Sequence, residues 1–317
     1  MKIIFMGTPE FAVASLAELI KQNYKVVGVI TAPDKPAGRG QQLQQSAVKQ
    51  FALQHGLKVL QPENLKSETF IQELRSLNAD IQIVVAFRML PEIVWNMPKH
   101  GTYNLHASLL PKYRGAAPIN WAIINGEKTT GVTTFKLKHE IDTGNILFQE
   151  KVEIEENETA GSLHDKLMNN GKHLIIKTIE EVNRCITNNV ELNFIVQDDS
   201  IACHAPKLFK ENCKINFALD AQSAHNLVRG LSPYPAAYTS IVNDGKAQQL
   251  KIFSSRVEEC NKSGKPGSIY SDGKTYFKIQ CETNLLTVYE LQLEGKKKMT
   301  TPDFLRGYKL NSDSYCV

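Results

Sequence analysis

Apolar positions in the first part of the chain fall into two alternating rhythms. Short β-branched and aromatic runs at Lys2–Gly7, Lys25–Ile30, Asp80–Phe87, Gly101–His106, Gly131–Leu137 and Asn145–Ile154 predict strands. Between them the period lengthens to three or four residues. Phe11, Leu16 and Leu19-Ile20 mark one helix, Ala47–His55 a second, Glu68–Leu77 a third and Ala116–Asn125 a fourth. The stripe Leu163, Leu167, Leu174, Ile175, Ile179, Val182 and Ile186 makes Gly161–Thr187 largely helical. Thr8 is expected to cap the first helix with Pro9 at its first turn, and Gly56 suits the position after a helix end. Strands that alternate with helices predict an α/β fold, a Rossmann-like, mostly parallel sheet with helices on both faces.

The periodicity fails from about Asp198 to Asn212. Beyond a helical piece at Ala221–Arg229 come short runs at Gln249–Ser254, Gly267–Tyr270, Thr275–Cys281 and Leu285–Leu293. The turn signals Asn243-Asp244-Gly245 and Asp272-Gly273 lie among them. This character predicts a small C-terminal β-barrel, with the OB type as one candidate. The expected organisation is a catalytic domain over 1–197, a connector over 198–212 and an OB-like domain over 213–317. The stretch Thr31–Ser46 carries almost no apolar residue between a strand and a helix. Structureless connections longer than roughly 12–15 residues are uncommon, and those that exist are usually functional or disordered. Lys35 and Arg39 on such an arm suit phosphate contact.

Composition narrows the class without choosing it. A chain of 317 residues, 42% hydrophobic and 22% charged, has room for about two domains with sizeable cores. No apolar run approaches the roughly 18 residues of a membrane span, and the chain opens directly on a strand, so no targeting segment is expected. The six cysteines include no C-x-x-C pair, all lie in the second half, and free thiols in a reducing cytosol are expected. The net charge of +4 is uneven. From Pro206 onward there are 16 Lys and Arg against 11 Asp and Glu, a weak pointer to a polyanionic partner.

The chemistry concentrates in one constellation. Side chains alternate along a strand, so Asn104 and His106 point the same way while Leu105 enters the core. An amide and an imidazole then stand together at a strand's carboxyl end, where open α/β sheets bind ligands. The amide N–H can hold a developing oxyanion, and the imidazole can also move a proton. Asp142, in a second strand-to-turn segment, is placed to orient the imidazole or a water.

Other motifs fall away. Gly7-Thr8-Pro9-Glu10 lacks the further glycines of a dinucleotide fingerprint. Asp142-Thr143-Gly144 matches half of an aspartic-protease pair, and no second such triplet occurs. Cys203-His204 with Cys213 fits no standard zinc spacing, so no metal site is expected. Lys296-Lys297-Lys298 is either a solvated turn or a contact for a phosphate backbone.

Five segments run through nearly the whole chain: Phe5-Met6-Gly7-Thr8-Pro9-Glu10-Phe11, Pro33-Asp34-Lys35-Pro36-Ala37-Gly38-Arg39-Gly40, the continuous run from Asn104-Leu105-His106 through Ser108-Leu109-Leu110-Pro111 and Arg114-Gly115 to Ile119, Asp142-Thr143-Gly144, and Gly295-Lys296-Lys297-Lys298. On these residues the chain resembles the folate-dependent formyltransferases. The Pro-Ala-Gly-Arg-Gly loop and the C-terminal barrel are similar to the branch acting on methionyl-tRNA. One departure is visible: Ala86-Phe87-Arg88-Met89-Leu90-Pro91 is one residue shorter than the A-Y-G-x-x-L-P common in that branch, and is closer to the glycinamide ribonucleotide enzyme.

The resemblance implies transfer of a formyl group from 10-formyltetrahydrofolate to the α-amino group of methionyl initiator tRNA, by a cytoplasmic monomer without a metal. It implies that Asn104 and His106 hold the oxyanion, that His106 passes a proton to the leaving nitrogen, and that Asp142, through a water, orients His106. Arg88, Met89 and Leu90, with Ser108, Leu109, Leu110 and Pro111, would line the folate pocket. Lys35 and Arg39 would engage the acceptor end of the tRNA, and Lys296, Lys297 and Lys298 on the barrel its phosphates. Two other readings stay open: a formyltransferase for a small-molecule amine, and a non-catalytic RNA-binding module on the same fold.

Overall fold

Each β-branched run of the first part forms a strand, and each 3.6-period stretch a helix. The computed structural model describes all residues except 38–41 and 261–263. In chain order come β1 (Lys2–Gly7), α1 (Glu10–Lys21), β2 (Lys25–Ile30), β3 (Lys35–Ala37), β4 (Gln42–Gln44), α2 (Ala47–Gln54), β5 (Val59–Leu60), α3 (Glu68–Ser76), β6 (Ile81–Val85), α4 (Glu92–Trp95), β7 (Thr102–His106), β8 (Arg114–Gly115), α5 (Pro118–Ile124), β9 (Thr129–Lys136), β10 (Ile146–Glu153), α6 (Ala160–Asn188) and β11 (His204–Ala205). One compact unit comprises Met1–Gly115, Thr130–Val152 and His164–Ala205; a second comprises Ala116–Thr129, Glu153–Leu163 and Pro206–Val317.

The first unit is built on a sheet of strand order β10-β9-β7-β6-β1-β2-β5. Strands β7, β6, β1, β2 and β5 are parallel, and β9 runs antiparallel to β7. The order reverses at β1, whose neighbours are β2 and β6, so the carboxyl ends at Gly7, Val85 and His106 border the crevice where such sheets bind ligands. Helices cover both faces. Ile4, Met6, Ile30 and Val84 pack with Phe70, Ile71 and Leu74 of α3 and Val94 of α4. Leu105 points to the opposite face, where α6 lies so close that a Cβ on Gly171 would stand 2.7 Å from the leucine.

Two local expectations are corrected. Pro9, not Thr8, is the N-cap of α1: Pro9 stays extended at ψ 176°, no side chain caps the helix, and the Pro9 carbonyl accepts from Ala12 N–H at 3.0 Å. The Thr31–Ser46 stretch is not structureless, because β3 and β4 pair as an antiparallel hairpin. Lys49 holds Asp34 at 2.5 Å, and the Gln61 amide donates to Asp34 and to the Ala32 carbonyl, both at 2.8 Å. The Lys49 contact is the main reason that the Asp34 carboxyl sits below its ordinary pKa range. These anchors come from α2 and the end of β5, which local polarity does not reveal.

The second unit continues with α7 (Ala221–Gly230), β12 (Ala237–Asn243), β13 (Lys246–Glu258), β14 (Ile269–Ser271), β15 (Phe277–Gln280), β16 (Leu285–Leu293), β17 (Met299–Thr300), α8 (Thr301–Gly307) and β18 (Tyr315–Cys316). Its antiparallel order is β14-β15-β16-β13-β12-β18, with β17 beside β16. Cys316 N–H donates to the Gly267 carbonyl at 2.8 Å and Ser268 bridges Tyr315, which brings the last strand back to the first. The result is the nearly closed small barrel expected. Irregular pairing at Ile252–Ser255 interrupts the ladder of β13, where a bulge increases local twist and bending. Leu250, Ile252, Phe277, Ile279, Leu286, Val288 and Phe304 fill the interior. Strand β12 is an addition to the expected set. It enters a hairpin at Asp244-Gly245, whose φ angles of +50° and +69° suit the two-residue turn that matches strand twist.

Candidate active site

Pleat alternation does what the sequence pattern predicts at the end of β7. Asn104 pairs in register with Val84 and Phe135, and His106 with Thr133. Asn104 is half-buried, and its amide has no hydrogen-bond partner among the described residues. His106 is buried, at 6% exposure. Its Nε2 lies 2.8 Å from the Tyr113 carbonyl. A carbonyl only accepts, so Nε2 carries a hydrogen and Nδ1 is the nitrogen left to exchange a proton.

Nδ1 faces Asp142 Oδ2 at 3.7 Å. That separation is longer than a hydrogen bond, so the carboxylate faces the ring nitrogen without bonding to it. Catalytic hydrogen bonds in a site without substrate are often long and tighten when substrate binds. The same Oδ2 accepts the Gly115 N–H at 2.9 Å. Asp142 sits in a turn at φ +55°. The glycine two residues later is demanded by contact: a Cβ on Gly144 would stand 1.8 Å from the Lys136 carbonyl oxygen.

Residues that the sequence reading left without a role complete this frame. The Gln197 amide donates to the carbonyls of Asp142 and Gly144 at 2.8 and 2.7 Å. Its oxygen accepts from Arg114 Nε and Nη2 at 3.1 and 2.7 Å. Arg114 also pairs with Asp199 at 2.7 Å. Cys203 enters the sequence only as a poor candidate for a metal ligand. Its Sγ instead accepts the Tyr113 N–H at 3.2 Å, and its carbonyl accepts the Arg114 N–H at 3.0 Å. Arg114-Gly115 was visible as a motif, whereas Gln197 and Cys203 fall where periodicity fades and carried no signal.

The residues expected at the folate divide into two groups. Arg88, Met89 and Leu90 line a cleft of about 740 Å³ together with Leu65, Ile93, Trp95 and His139. The Arg88 guanidinium is held by the carbonyls of Pro62 and Glu63. Ser108, Leu109, Leu110 and Pro111 are not among this cleft's lining residues. They form a turn whose Ser108 carbonyl accepts from Thr133 Oγ1 at 2.6 Å and whose Leu110 carbonyl accepts from Gln149 at 2.8 Å. Ser108, Leu110 and Pro111 are buried, and Leu109 is half-buried.

Of the residues expected to meet tRNA, Lys35 is exposed on β3, and Arg39 lies outside the described residues. Lys296 and Lys297 are exposed on the turn after β16. Lys298 pairs with Glu290 at 2.7 Å and lies over the Phe253 ring, 5.1 Å from its centroid.

Similarity to known proteins is extensive. Residues 1–179 match the formyl transferase family and residues 207–309 the formyl transferase C-terminal domain. The methionyl-tRNA formyltransferase of Bacteroides fragilis is 50% identical over 311 residues, covering 98% of this chain and 96% of that protein. The methionyl-tRNA formyltransferase of Flavobacterium johnsoniae is 50% identical over 314 residues, covering 99% and 98%. Among solved structures, the N-formyltransferase of Helicobacter canadensis, crystallised with folinic acid and dTDP-3-aminofucose, aligns with a TM-score of 0.65 at 23% identity, covering 94% of this chain and 100% of that one. That last likeness speaks to the fold alone. With both family models matched and half of all residues identical along the full length, the chain belongs to the methionyl-tRNA formyltransferase family, enzymes of formyl transfer.

Proposed function

We propose that this chain transfers the formyl group of 10-formyltetrahydrofolate to the α-amino group of methionyl initiator tRNA, with Asn104, His106 and Asp142 as its catalytic residues. The observation that carries the assignment is the convergence of an unpartnered amide, a buried imidazole of defined tautomer and a carboxylate facing its free nitrogen. The cleft beside Arg88, Met89 and Leu90 supports a folate site. Its size lies within the usual range for small-molecule pockets, and Leu65, Leu90, Ile93 and Trp95 offer apolar surface to a flat ring. Bound there, the folate supplies a formyl group on nitrogen and a nitrogen leaving group.

The residues divide the work as follows. An α-amino group titrates near about 7.7–8.0 and the neighbouring ester lowers that, so a usable neutral fraction exists at neutral pH and no strong base is needed. As the new N–C bond forms, Asn104 Nδ2–H donates to the oxygen that gains charge, and His106 joins it once Nδ1 holds the proton taken from the amine. Asp142 receives the proton released by the amine and passes it to His106 Nδ1, which delivers it to the departing nitrogen as its C–N bond breaks. One proton leaves the amine and one reaches the folate, so the balance closes without a metal or a covalent enzyme intermediate.

In this reading Lys35 and Arg39 serve the acceptor end of the tRNA, and the basic turn Lys296-Lys297-Lys298 serves its phosphates. A charged tRNA is a cytoplasmic molecule, and the reading places the chain there. The test is transfer of radiolabelled formyl from 10-formyltetrahydrofolate to charged initiator tRNA, with charged elongator methionine tRNA alongside. Label on the initiator alone is expected. No label on either, with folate still bound, would redirect the assignment to a small-molecule amine.

A further inference from the structure

One segment reaches both groups that set the state of His106. Residues 197–205 touch the Asp142 turn through the Gln197 amide, at 2.8 Å to Asp142 O and 2.7 Å to Gly144 O. Farther along, Cys203 Sγ receives the N–H of Tyr113, the residue whose carbonyl holds His106 Nε2. Strand β11 pairs with β8, aligning His204 with Arg114 and Ala205 with Gly115, and Gly115 N–H in turn holds the Asp142 carboxylate. The carboxylate that faces Nδ1 and the carbonyl that holds Nε2 thus rest on the same short stretch of chain.

Gln197 is the joint of this arrangement. It is 8% exposed, and all four of its hydrogen-bonding capacities are used: two N–H donors on carbonyls of the Asp142 turn and two oxygen contacts from Arg114. Arg114, also 8% exposed, leans at its far end on Asp199, whose side chain is 80% exposed. No part of Gln197 touches His106 in these contacts. Its effect on chemistry must pass through the position of Asp142.

We propose that Gln197 is a positioning residue for formyl transfer: it fixes the Asp142–Gly144 turn, and with it the approach of the carboxylate to His106 Nδ1, while residues 197–205 act as a strap holding both sides of the imidazole. The proposal rests on the catalytic reading given above. Displacements of about 1 Å in a catalytic group can cost about 10²-fold in rate, and loss of partners that orient metal ligands typically costs about 10–100-fold. An orienting amide of this kind belongs on the same scale.

Gln197→Glu is the discriminating variant. It keeps the volume and the acceptors for Arg114 but sets carboxylate oxygen against two carbonyls of the turn. Full-length Gln197→Glu, Asp142→Asn and the double variant are compared in the formyl-transfer assay, with folate binding and thermal melting measured on each. Wild-type turnover first establishes the reaction, so its absence would count against the catalytic reading and not against the strap. Given wild-type turnover, Gln197→Glu is expected to lower kcat about 10–30-fold with KM changed less than about 3-fold, and to alter the pH profile of kcat. The double variant is expected to be no slower than Asp142→Asn alone, because Gln197 works through that carboxylate. Unchanged kcat in Gln197→Glu would overturn the proposal, as would multiplicative losses in the double variant. A loss that tracks melting alone would overturn it too.

Discussion

Asp142 Oδ2 stands 3.7 Å from His106 Nδ1 while it accepts the backbone N–H of Gly115 at 2.9 Å, so the carboxylate faces the imidazole from an anchored position. The ring is held from its other side by the Tyr113 carbonyl at 2.8 Å. Neither partner of His106 is its neighbour in sequence, and both are presented by turns at positive φ, +60° at Tyr113 and +55° at Asp142.

Removal of any member of the site should act on turnover rather than on substrate binding. Asn104→Ala and His106→Ala are each expected to lose about 10²–10³-fold in kcat while still binding tRNA. Steady-state kinetics beside a tRNA binding isotherm checks this, and unchanged turnover in either variant would remove that residue from the mechanism.

Gly144→Ala should destabilise the first unit and slow the reaction together. Its Cβ would meet the Lys136 carbonyl oxygen at 1.8 Å and Phe135 at 2.7 Å, and backbone cannot swing aside as a flexible side chain does. A loss of at least about 2 kcal/mol in urea unfolding is expected. Gly307→Ala, with no atom within 4 Å of the added carbon, is the control and should stay close to wild type.

Acid should weaken the second unit through His225. The side chain is 5% exposed and lies 3.1 Å from Ser255 Oγ. Burial, with Arg229 adding repulsion, lowers its pKa from 6.5 to about 4. Below the unfolded value the unfolded chain binds the proton more readily than the folded one, so stability is full above about pH 6.5 and falls as pH drops towards 4. The loss is on the order of 3 kcal/mol. Urea midpoints across this range should fall less steeply in His225→Gln, and parallel curves for the two proteins would contradict the assignment.

Basic residues on the two candidate RNA contacts should behave differently from the catalytic ones. Arg39→Ala is expected to impair use of tRNA with folate binding intact, and equal loss of both would make its role structural. Lys297→Ala should weaken tRNA binding and reduce the salt slope by about 0.7–0.9 for one lost phosphate contact. Lys298 is already engaged by Glu290, so its replacement should move the slope less.

The sequence by itself determined the parts whose signal is periodic or carried by residue type. The strand ending at His106, the shared face of Asn104 and His106, the long helix near Gly161–Thr187 and the small C-terminal barrel all follow from side-chain alternation, helical spacing and turn residues. These are properties of neighbouring residues, and they survive without knowledge of what lies opposite.

Tertiary structure decided whatever depends on partners distant in the chain. The Thr31–Ser46 stretch has a polar composition that reads as loop, yet Lys49 and Gln61 anchor Asp34 at the foot of a hairpin. Strand β12 alternates too weakly to announce itself, and it becomes a strand because β13 and β18 pair with its two edges. Which nitrogen of His106 bears the fixed hydrogen is set by Tyr113, and the pose of Asp142 by Gly115 and Gln197, the last of these 55 residues farther along the chain. Hydrogen bonds of this reach leave no periodic trace, because their geometry exists only once the sheet has brought the segments together.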